Sequence, residues 1–405
     1  MYIHRNFEKV LAKALKQTKI VLITGARQVG KSTTVQVQYP NYTYITLDDE
    51  NELALALNDR TLFFRDKKFP LIIDEVQYAK ELLRAVKLET DRRQSKGQII
   101  LTGSQTYELL SASAESLAGR VTLLEMPSLS ARELYGVDFQ NSFLPDANYI
   151  EKRGKKIIPY DGLWEKIHRG FMPDLLDSER DWEWFYRDYV RTYIERDIRN
   201  IINIQNEMKF RALLVSIAAR SGQLLIYDDI ARDIGVDIKT VQRWISVIAA
   251  SGLIKILHTY KTNAISRIIK TPKLYFMDTG LLCYLVGWKT PESARNGAMS
   301  ENIFETFVIS EIIKSRLNNG QDIQDSLFYY RDKEKREIDL LIKEGNTLYP
   351  IEIKKGATPD KSWIKNFSVL EKISDISIGP GAIVCQINHA MPVSEQVTAL
   401  PVEYL

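Results

Sequence analysis

The residues best suited to chemistry in this sequence form a short run near its start. The run contains a glycine, four further residues, a second glycine, a lysine and two hydroxyl residues: Gly25, Ala26, Arg27, Gln28, Val29, Gly30, Lys31, Ser32 and Thr33. The two glycines permit a turn whose N–H groups point inward around an anion. Lys31 is predicted to reach the β- and γ-phosphates, and the Ser32 hydroxyl to bind Mg²⁺. The pattern predicts a P-loop that binds a nucleoside triphosphate, with a chance match as the alternative.

Two acids form the second group. Asp74 and Glu75 follow the apolar run 71–73, which predicts a buried strand that ends in two carboxylates. This is the Walker B arrangement, in which Asp74 would hold Mg²⁺ and Glu75 would orient or deprotonate the attacking water. A helix cap is the alternative for two acids in this place. The P-loop upstream favours the catalytic interpretation.

Two further polar residues have interpretations that stay open. Ser104 follows a short predicted strand, 98–102, that ends in polar residues, and the carboxyl ends of parallel strands meet at one edge of a sheet. Ser104 or Thr102 could therefore touch the γ-phosphate or the water, although a turn with a helix-capping serine explains the pattern equally well. Arg120 follows Gly119 and could reach the nucleotide of a neighbouring subunit as an arginine finger, or be a surface arginine. A homo-oligomer is therefore a possible state.

A third group lies near the other end of the chain. Asp339 is followed, after twelve residues, by Glu352, Ile353 and Lys354. Side chains alternate along a strand, so Glu352 and Lys354 would share one face while the neighbouring isoleucines enter the core. Asp339, Glu352 and the Ile353 carbonyl would bind Mg²⁺, which prefers oxygen ligands. Lys354 would help to deprotonate water or stabilise a phosphoryl transition state.

Other residues decide whether this third site is complete. Residues 301–313 predict an amphipathic helix, from which Glu305, or Glu301 one turn earlier, would add a carboxylate. Gly345 and the residue after it mark a hairpin turn between the strands that carry Asp339 and Glu352. A simple ion pair between Glu352 and Lys354 on an exposed strand is the alternative.

The elements that must position these groups are predicted from periodicity and turn residues. Apolar runs near residues 20–24, 42–47, 71–73, 98–102 and 121–125 predict a parallel sheet with intervening helices. Residues 181–202 have helical character, with mixed charges typical of a solvated helix. Residues 148–156 contain four cationic side chains beside Gly154 and predict an exposed basic loop.

The middle of the chain predicts a helix, a glycine turn and a second helix. Residues 227–234 and 238–251 supply the helices, with Gly235 in the turn and Asp237 as an N-cap. Residues 253–257 and 273–277 would be the strands of a wing. If this unit binds DNA, the second helix would face the major groove with these residues: Lys239, Thr240, Gln242 and Arg243. A lid or packing module is an equally good interpretation.

The totals limit the class of protein. With 405 residues, two to four domains are expected. A net charge of +3 is too small to argue for nucleic acid by itself. Cys283 and Cys385 lie in apolar runs and predict buried thiols in a reducing, cytoplasmic setting. Neither a signal peptide nor an apolar run long enough to span a membrane is expected.

Several of these motifs together resemble a prokaryotic family of AAA+-type P-loop ATPases that carries a C-terminal domain of unknown function. The resemblance rests on the P-loop, residues 71–75 with Gln77 following, 101–105 and 117–120, and it continues in 189–198, 272–281 and 301–305. It implies ATP as the nucleotide, in agreement with the absence of a guanine-reading Asn-Lys-x-Asp motif. Asp339 with Glu352 and Lys354 resembles the restriction-endonuclease-like PD-(D/E)xK site, although Glu337 and Ile338 replace its leading Pro-Asp.

The sequence therefore predicts an α/β chain in four parts. These are a P-loop ATPase domain at 1–135, a helical bridge at 136–210, a winged helix at 211–290 and a restriction-endonuclease-like domain at 291–405. The predicted function is ATP and Mg²⁺ binding with ATP hydrolysis, action on DNA, and a metal-dependent nuclease whose activity is open. The alternatives are a nucleotide-driven switch that binds protein, and a DNA-binding ATPase with an inactive nuclease fold.

Overall fold

The computed structural model describes residues 2–104, 109, 113, 116–194, 207–261 and 271–405. Its Cα positions divide the chain into two compact units. Unit 1 contains Met1–Leu129, Val247–Leu253 and Leu317–Gly320, and unit 2 contains Ser130–Ser246, Ile254–Arg316 and Gln321–Leu405. Gln105 of the predicted strand-end motif and the predicted helical residues 195–202 lie outside the described residues. The division into four predicted parts stays a prediction.

A parallel five-stranded sheet forms the centre of unit 1. Its strands are β1 (Ile20–Thr24), β2 (Thr43–Thr46), β3 (Leu71–Asp74), β4 (Ile99–Thr102) and β5 (Val121–Glu125). The order across the sheet is β2-β3-β4-β1-β5, with every neighbouring pair parallel. The predicted parallel sheet is confirmed, and the carboxyl ends of β1, β3 and β4 lie side by side.

Helices cover both faces of this sheet. They are α1 (Phe7–Gln17), α2 (Lys31–Gln38), α3 (Glu50–Asn58), α4 (Arg60–Arg65) and α5 (Leu82–Asp91). Strand β1 is buried along its whole length, with Leu22 in one apolar cluster and Val21 and Ile23 in another. Alternate side chains of one strand thus enter two cores, as in a sheet covered on both sides.

Unit 2 begins with a series of short helices. They are α6 (Ala131–Leu134), α7 (Ala147–Gly154), α8 (Leu163–Arg169) and α9 (Trp182–Tyr189), and a π-helical turn, Val190–Ile194, follows α9. The predicted exposed loop at 148–156 is wrong, because these residues form most of α7, whose N-cap is Asp146. Tyr149 and Arg153 lie four residues apart on one face and are both buried. Arg153 donates to the carbonyls of Lys156 and Glu403.

The next segment contains three helices and a two-stranded sheet. The helices are α10 (Glu207–Ala218), α11 (Tyr227–Ile234) and α12 (Ile238–Ala250). Gly235 ends α11 with a φ of 65°, and Asp237 accepts the Thr240 N–H at 2.9 Å, which confirms the predicted turn and N-cap. Strands β6 (Ile254–Leu257) and β7 (Lys273–Phe276) pair antiparallel close to the predicted positions.

A mixed sheet ends the chain. It follows α13 (Thr279–Val286), α14 (Pro291–Asn296) and α15 (Ser300–Leu317). Its strands are β8 (Leu327–Arg331), β9 (Glu337–Glu344), β10 (Thr347–Lys354), β11 (Ser377–Ile378), β12 (Gly381–Cys385), β13 (Met391–Pro392) and β14 (Val397–Pro401). Strands β8, β9 and β10 are antiparallel neighbours, whereas β12 lies parallel to β10 and β14 parallel to β12. The predicted hairpin turn lies between β9 and β10, with Gly345 at a φ of 56°.

Helix α15 differs from the amphipathic helix that the sequence predicted. It is buried on nearly all sides, including polar residues beyond its first turn. Glu311 and Lys314 satisfy each other at 2.8 Å, and the Ser310 hydroxyl donates to the Phe307 carbonyl within the helix. These local pairs permit burial of polar residues that the sequence pattern assigned to an exposed face. Both cysteines are buried free thiols, as predicted. Within the described residues, no helix combines the length and apolar composition needed to cross a membrane.

Substitution of Arg132 is expected to destabilise unit 2. This side chain is 3 % exposed and donates to the carbonyls of Leu405, Phe139 and Asn141 and to the Tyr149 hydroxyl. Arg132→Met leaves these acceptors buried without a donor, which costs about 3 kcal/mol of unfolding free energy. All six tryptophans lie in unit 2, so urea unfolding followed by tryptophan fluorescence measures the change. The exposed Lys152→Met is the control, and equal midpoints for the two variants would contradict this account.

Candidate functional site

The P-loop connects β1 to α2 through a turn that requires glycine. Gly25 has a φ of 151°, and a Cβ on it would lie 2.3 Å from the Met126 carbonyl oxygen. Gly30 has a φ of 96° and Gln28 a φ of 62°, so the loop uses left-handed backbone at two further positions. Ser32 is half-buried in the first turn of α2, beside the exposed Thr33. The predicted strand, loop and helix are thus present together.

Lys31 is buried inside its own loop. Its Nζ donates to the carbonyl oxygens of Gly25 at 3.1 Å and Ala26 at 2.8 Å. Burial lowers the pKa of Lys31 to about 8, against the opposing effect of the Glu75 and Asp74 carboxylates. The loop therefore holds an ammonium group whose charge is weakly stabilised by protein groups alone, which suits a group that meets an anionic ligand.

Arg5 supports the P-loop and was not predicted. It is 5 % exposed and donates to the carbonyl oxygens of Val29 and Pro127, both at 2.8 Å. The guanidinium therefore joins the loop to the chain that follows β5. No local pattern identifies this role, because Arg5 resembles any cation near the start of an amphipathic helix.

Asp74 ends β3 with both carboxylate oxygens engaged. The Tyr44 hydroxyl donates to Oδ2 at 2.6 Å, and the Thr102 hydroxyl donates to Oδ1. The two donors come from the strands on either side of β3. Thr102, one of the two predicted γ-phosphate contacts, thus orients Asp74, and its contact with phosphate stays a prediction. Each carboxylate oxygen has a second lone pair, so Asp74 can still accept from a metal-bound water.

Glu75 and Ser104 are linked through Gln77. Glu75 has a φ of 58°, and burial raises the pKa of its carboxyl. The Gln77 amide donates to Glu75 Oε2 and accepts the Ser104 N–H at 3.2 Å. The Ser104 hydroxyl is buried and has no hydrogen-bond partner within the part of the chain that the structure describes. The structure therefore brings the predicted Glu75 and Ser104 together through a residue to which the sequence assigned no role.

Arg120 lies away from the P-loop of its own chain. It precedes β5, at the amino end of a strand parallel to β1, whereas the P-loop follows the carboxyl end of β1. Its Nε donates to Asp91 Oδ1 at 2.8 Å, and this contact lowers the pKa of the Asp91 carboxyl. The structure does not place Arg120 with the other predicted site residues of unit 1.

In unit 2 the third predicted group comes together where β9 and β10 diverge. Lys354 Nζ lies 2.6 Å from Glu352 Oε1 and 3.6 Å from Asp339 Oδ2. Asp339 Oδ2 accepts the Ile353 N–H at 2.8 Å, just beyond the last paired residues of the two strands. Burial raises the pKa of Glu352 to about 8, and in the part of the chain that the structure describes Glu352 Oε2 is buried without a hydrogen-bond partner.

Glu305 lies near this group but has other partners. Its Oε1 accepts from the Tyr275 hydroxyl at 2.7 Å and pairs with Lys273 Nζ at 3.1 Å. Lys273 also pairs with Glu337 Oε1 at 2.7 Å. Glu301, the other predicted candidate, accepts the Lys355 N–H at 3.3 Å. Among the described residues, no three His, Cys, Asp or Glu side chains are grouped so that they could hold a metal ion. Neither Glu305 nor Glu301 therefore forms such a group with Asp339 and Glu352.

The predicted DNA contacts lie on α12. Lys239, Gln242 and Arg243 are exposed, and the Thr240 hydroxyl donates to Asp237 Oδ2 at 2.5 Å. Trp244 is buried and packs edge-on against Phe210 of α10 at 5.7 Å between ring centroids. The helix thus has one face in the core and one in solvent.

Three segments of the chain match models of protein families. Residues 17–135 match the AAA domain, residues 160–292 a domain of unknown function, DUF8612, and residues 300–405 a second such domain, DUF4143. The first match and the loop geometry agree on a P-loop ATPase domain of the AAA type. This confirms the predicted class of the first part of the chain. The match at the other end assigns no activity.

Comparison with whole proteins gives distant similarities. Uncharacterized proteins of Mycobacterium tuberculosis and Mycobacterium bovis are each 26 % identical over 397 residues, which cover 98 % of this chain and 82 % of the relative. The Walker-type ATPase of Pyrococcus abyssi is 15 % identical, covers 69 % of this chain and 94 % of its own, and has a TM-score of 0.41. The structure of Drosophila ORC bound to DNA is 12 % identical, covers 69 % of this chain and 85 % of its own, and has a TM-score of 0.22. Because both TM-scores are below 0.5, no ligand or partner of these two structures is assigned to this chain.

Nucleotide affinity is expected to fall as Lys31 loses its proton. The lowered pKa of about 8 means that the ammonium form, which phosphate attracts, is abundant at neutral pH and scarce in alkali. Between about pH 7.5 and about pH 9.5, the dissociation constant of ADP should rise roughly tenfold or more. Calorimetry measures this. Lys31→Met should bind weakly with little dependence on pH, and an equally steep dependence in that variant would exclude Lys31 as the cause.

Proposed function

We propose that this chain binds and hydrolyses ATP with Mg²⁺ at the sheet edge where β1, β3 and β4 end. The observation that carries the proposal is the convergence of three groups there. Lys31 in the P-loop is close enough to Asp74 and Glu75 for both carboxylates to act on its pKa. A cationic anchor, a metal-directed acid and a candidate general base thus occupy one edge.

The residues fit a magnesium–nucleotide complex. At Gly25 a side chain would collide with the Met126 carbonyl, so the backbone of the loop stays free of side-chain atoms there. Ser32 and Asp74 supply a hydroxyl and a carboxylate, and Mg²⁺ prefers such oxygen donors. When bound, the metal supplies positive charge that neutralises the phosphate oxygens.

The roles of the protein groups follow from their present partners. Lys31 exchanges its bonds to the Gly25 and Ala26 carbonyls for bonds to phosphate oxygens. Asp74 stays oriented by Tyr44 and Thr102. Glu75, whose raised pKa makes it a better proton acceptor than an exposed glutamate, orients the attacking water and takes its proton. A trans role for Arg120 requires it to leave Asp91, and it stays a prediction.

Glu75→Gln is expected to separate binding from turnover. The amide keeps the shape of the side chain but cannot accept a proton, so the turnover number should fall by about 10²- to 10³-fold. The dissociation constant of ATP should stay within about threefold of the wild-type value, because binding depends on the P-loop. Phosphate release and calorimetry measure the two quantities.

Two matched variants complete this test. Lys31→Ala should lose nucleotide binding, and Glu81→Gln, which changes an exposed glutamate six residues from Glu75, should behave as wild type. Wild-type turnover in Glu75→Gln would contradict the proposed base.

We propose as a second function that unit 2 acts on DNA through a metal-dependent nuclease site. Asp339, Glu352 and Lys354 lie together, and Glu352 Oε2 is buried with no hydrogen-bond partner among the described residues. The order of α15, three antiparallel strands, the 3₁₀ segment Lys361–Lys372 and β12 parallel to β10 supports a restriction-endonuclease-like fold. The helices α10 to α12 with β6 and β7 support a winged helix whose exposed α12 residues contact the duplex.

Cleavage of DNA should depend on Lys354 and not on the P-loop lysine. Lys354→Met and Asp339→Asn are expected to reduce Mg²⁺- or Mn²⁺-dependent cleavage of plasmid or branched DNA by about 10²-fold or more. Both variants should keep wild-type ATP turnover. The exposed Lys365→Met is the matched control.

The same assay separates the alternatives. Stimulation of ATP turnover by DNA, with cleavage no greater than that of Asp339→Asn, identifies a DNA-binding ATPase with an inactive nuclease fold. Slow turnover that DNA leaves unchanged, together with no Lys354-dependent cleavage, supports a nucleotide-driven switch whose remaining parts bind protein.

A further inference from the structure

Gln77 joins two loops at the sheet edge of unit 1. It lies in the 3₁₀ turn Val76–Ala79 that follows Glu75. Its Nε2 donates to Glu75 Oε2, and its Oε1 accepts the Ser104 N–H at 3.2 Å. One primary amide therefore uses its donor on the candidate general base and its acceptor on the loop after β4.

The surroundings of Gln77 leave little freedom for this arrangement. A Cβ on Gly103 would lie 2.7 Å from Gln77 Oε1 and 2.9 Å from Leu109 Cδ2. Gly103, which has no side chain, therefore approaches the Gln77 amide closely just before Ser104. A side chain at residue 103 would displace the ends of the Gln77 and Leu109 side chains.

Glu75 has an unusual backbone conformation as well as the bond to Gln77. Its φ of 58° is a left-handed conformation that non-glycine residues seldom adopt. The Gln77 bond fixes one carboxylate oxygen and leaves the other for a water molecule. At the far side of the amide, the Ser104 hydroxyl is buried without a partner within the described residues. That hydroxyl is free to bind a ligand group, and its own backbone N–H is already tied to Gln77.

We propose that Gln77 is a positioning residue that couples the orientation of Glu75 to Ser104, two residues after β4. The proposal rests on the proposed ATPase function. When a phosphate group binds or leaves, the position of Ser104 changes. The Gln77 amide passes this movement to the Glu75 carboxylate, which orients the water. Gln77 itself touches neither the nucleotide nor the reacting atoms.

The test uses two substitutions that distinguish the donor of the Gln77 amide from its acceptor. Gln77→Ala removes both hydrogen bonds, whereas Gln77→Glu keeps an acceptor for Ser104 and loses the donor to Glu75. Both should lower the turnover number by about tenfold or more, with the dissociation constant of ATP within about threefold of wild type. Gln94→Ala, an exposed glutamine, is the matched control and should behave as wild type.

Amide hydrogen exchange at Ser104 provides a measurement that does not depend on turnover. Exchange should accelerate in Gln77→Ala, since the acceptor is gone, and stay slow in Gln77→Glu.

The outcomes distinguish this proposal from the function on which it rests. Unchanged turnover in Gln77→Ala, an equal loss of affinity and turnover, or unchanged Ser104 exchange would overturn the role of Gln77. Absence of ATP turnover in the wild type would overturn the proposed function instead. In that case the Ser104 exchange pattern still decides whether Gln77 ties the two loops together.

Discussion

The approach of the Met126 carbonyl to Gly25 is the constraint on which the first unit depends. A Cβ at residue 25 would lie 2.3 Å from that oxygen, so the P-loop and the end of β5 can be neighbours only through a glycine. Arg5 strengthens the same junction by donating to Val29 on one side and Pro127 on the other. The loop is thus held by the sheet and by a buried guanidinium before any ligand is considered, and this preorganisation is what anion binding requires.

The parallel sheet explains why the charged groups of the candidate site lie at the carboxyl ends of the strands and not along them. The residues of β1, β3 and β4 are buried throughout, so polar side chains enter only where the strands end. Asp74 is tolerated there because Tyr44 and Thr102 supply donors from the strands on either side of β3. Lys31 is tolerated because its loop carbonyls accept from it, at the cost of a lowered pKa. The stability of the edge and its chemistry therefore use the same hydrogen bonds.

Local patterns in the sequence were sufficient for some features. The P-loop, the acids after β3, the N-cap at Asp237 and the Gly345 turn each depend on residues close together in the chain. The structure brings Asp339, Glu352 and Lys354 together because period-two alternation and a short hairpin determine their neighbours.

Features that depend on distant neighbours were missed. Tyr44 meets Asp74, and Lys273 meets Glu305, through strand and helix placement that no short window contains. Arg153 looked exposed because it lies among other cations, yet it donates to the nearby Lys156 carbonyl and to the carbonyl of Glu403 at the other end of the chain. In the sequence, Gln77 was only part of the family resemblance and had no assigned role. The Ser104 N–H that its side-chain oxygen accepts lies twenty-seven residues further along the chain. Such contacts follow from sheet order, which periodicity does not determine.

The buried acids of unit 2 differ in whether neighbouring cations and hydroxyl groups satisfy them. Buried ion pairs gain little over well-packed apolar residues, because desolvation of the charges offsets their attraction. Lys273 and Tyr275 already satisfy Glu305, and Lys273 and Arg331 satisfy Glu337. Glu352 differs, since one of its oxygens is buried without a hydrogen bond to any described residue and burial raises the pKa of its carboxyl to about 8. A group kept in an unfavourable state beside Asp339 and Lys354 argues for a chemical role, because packing gives no reason to retain it.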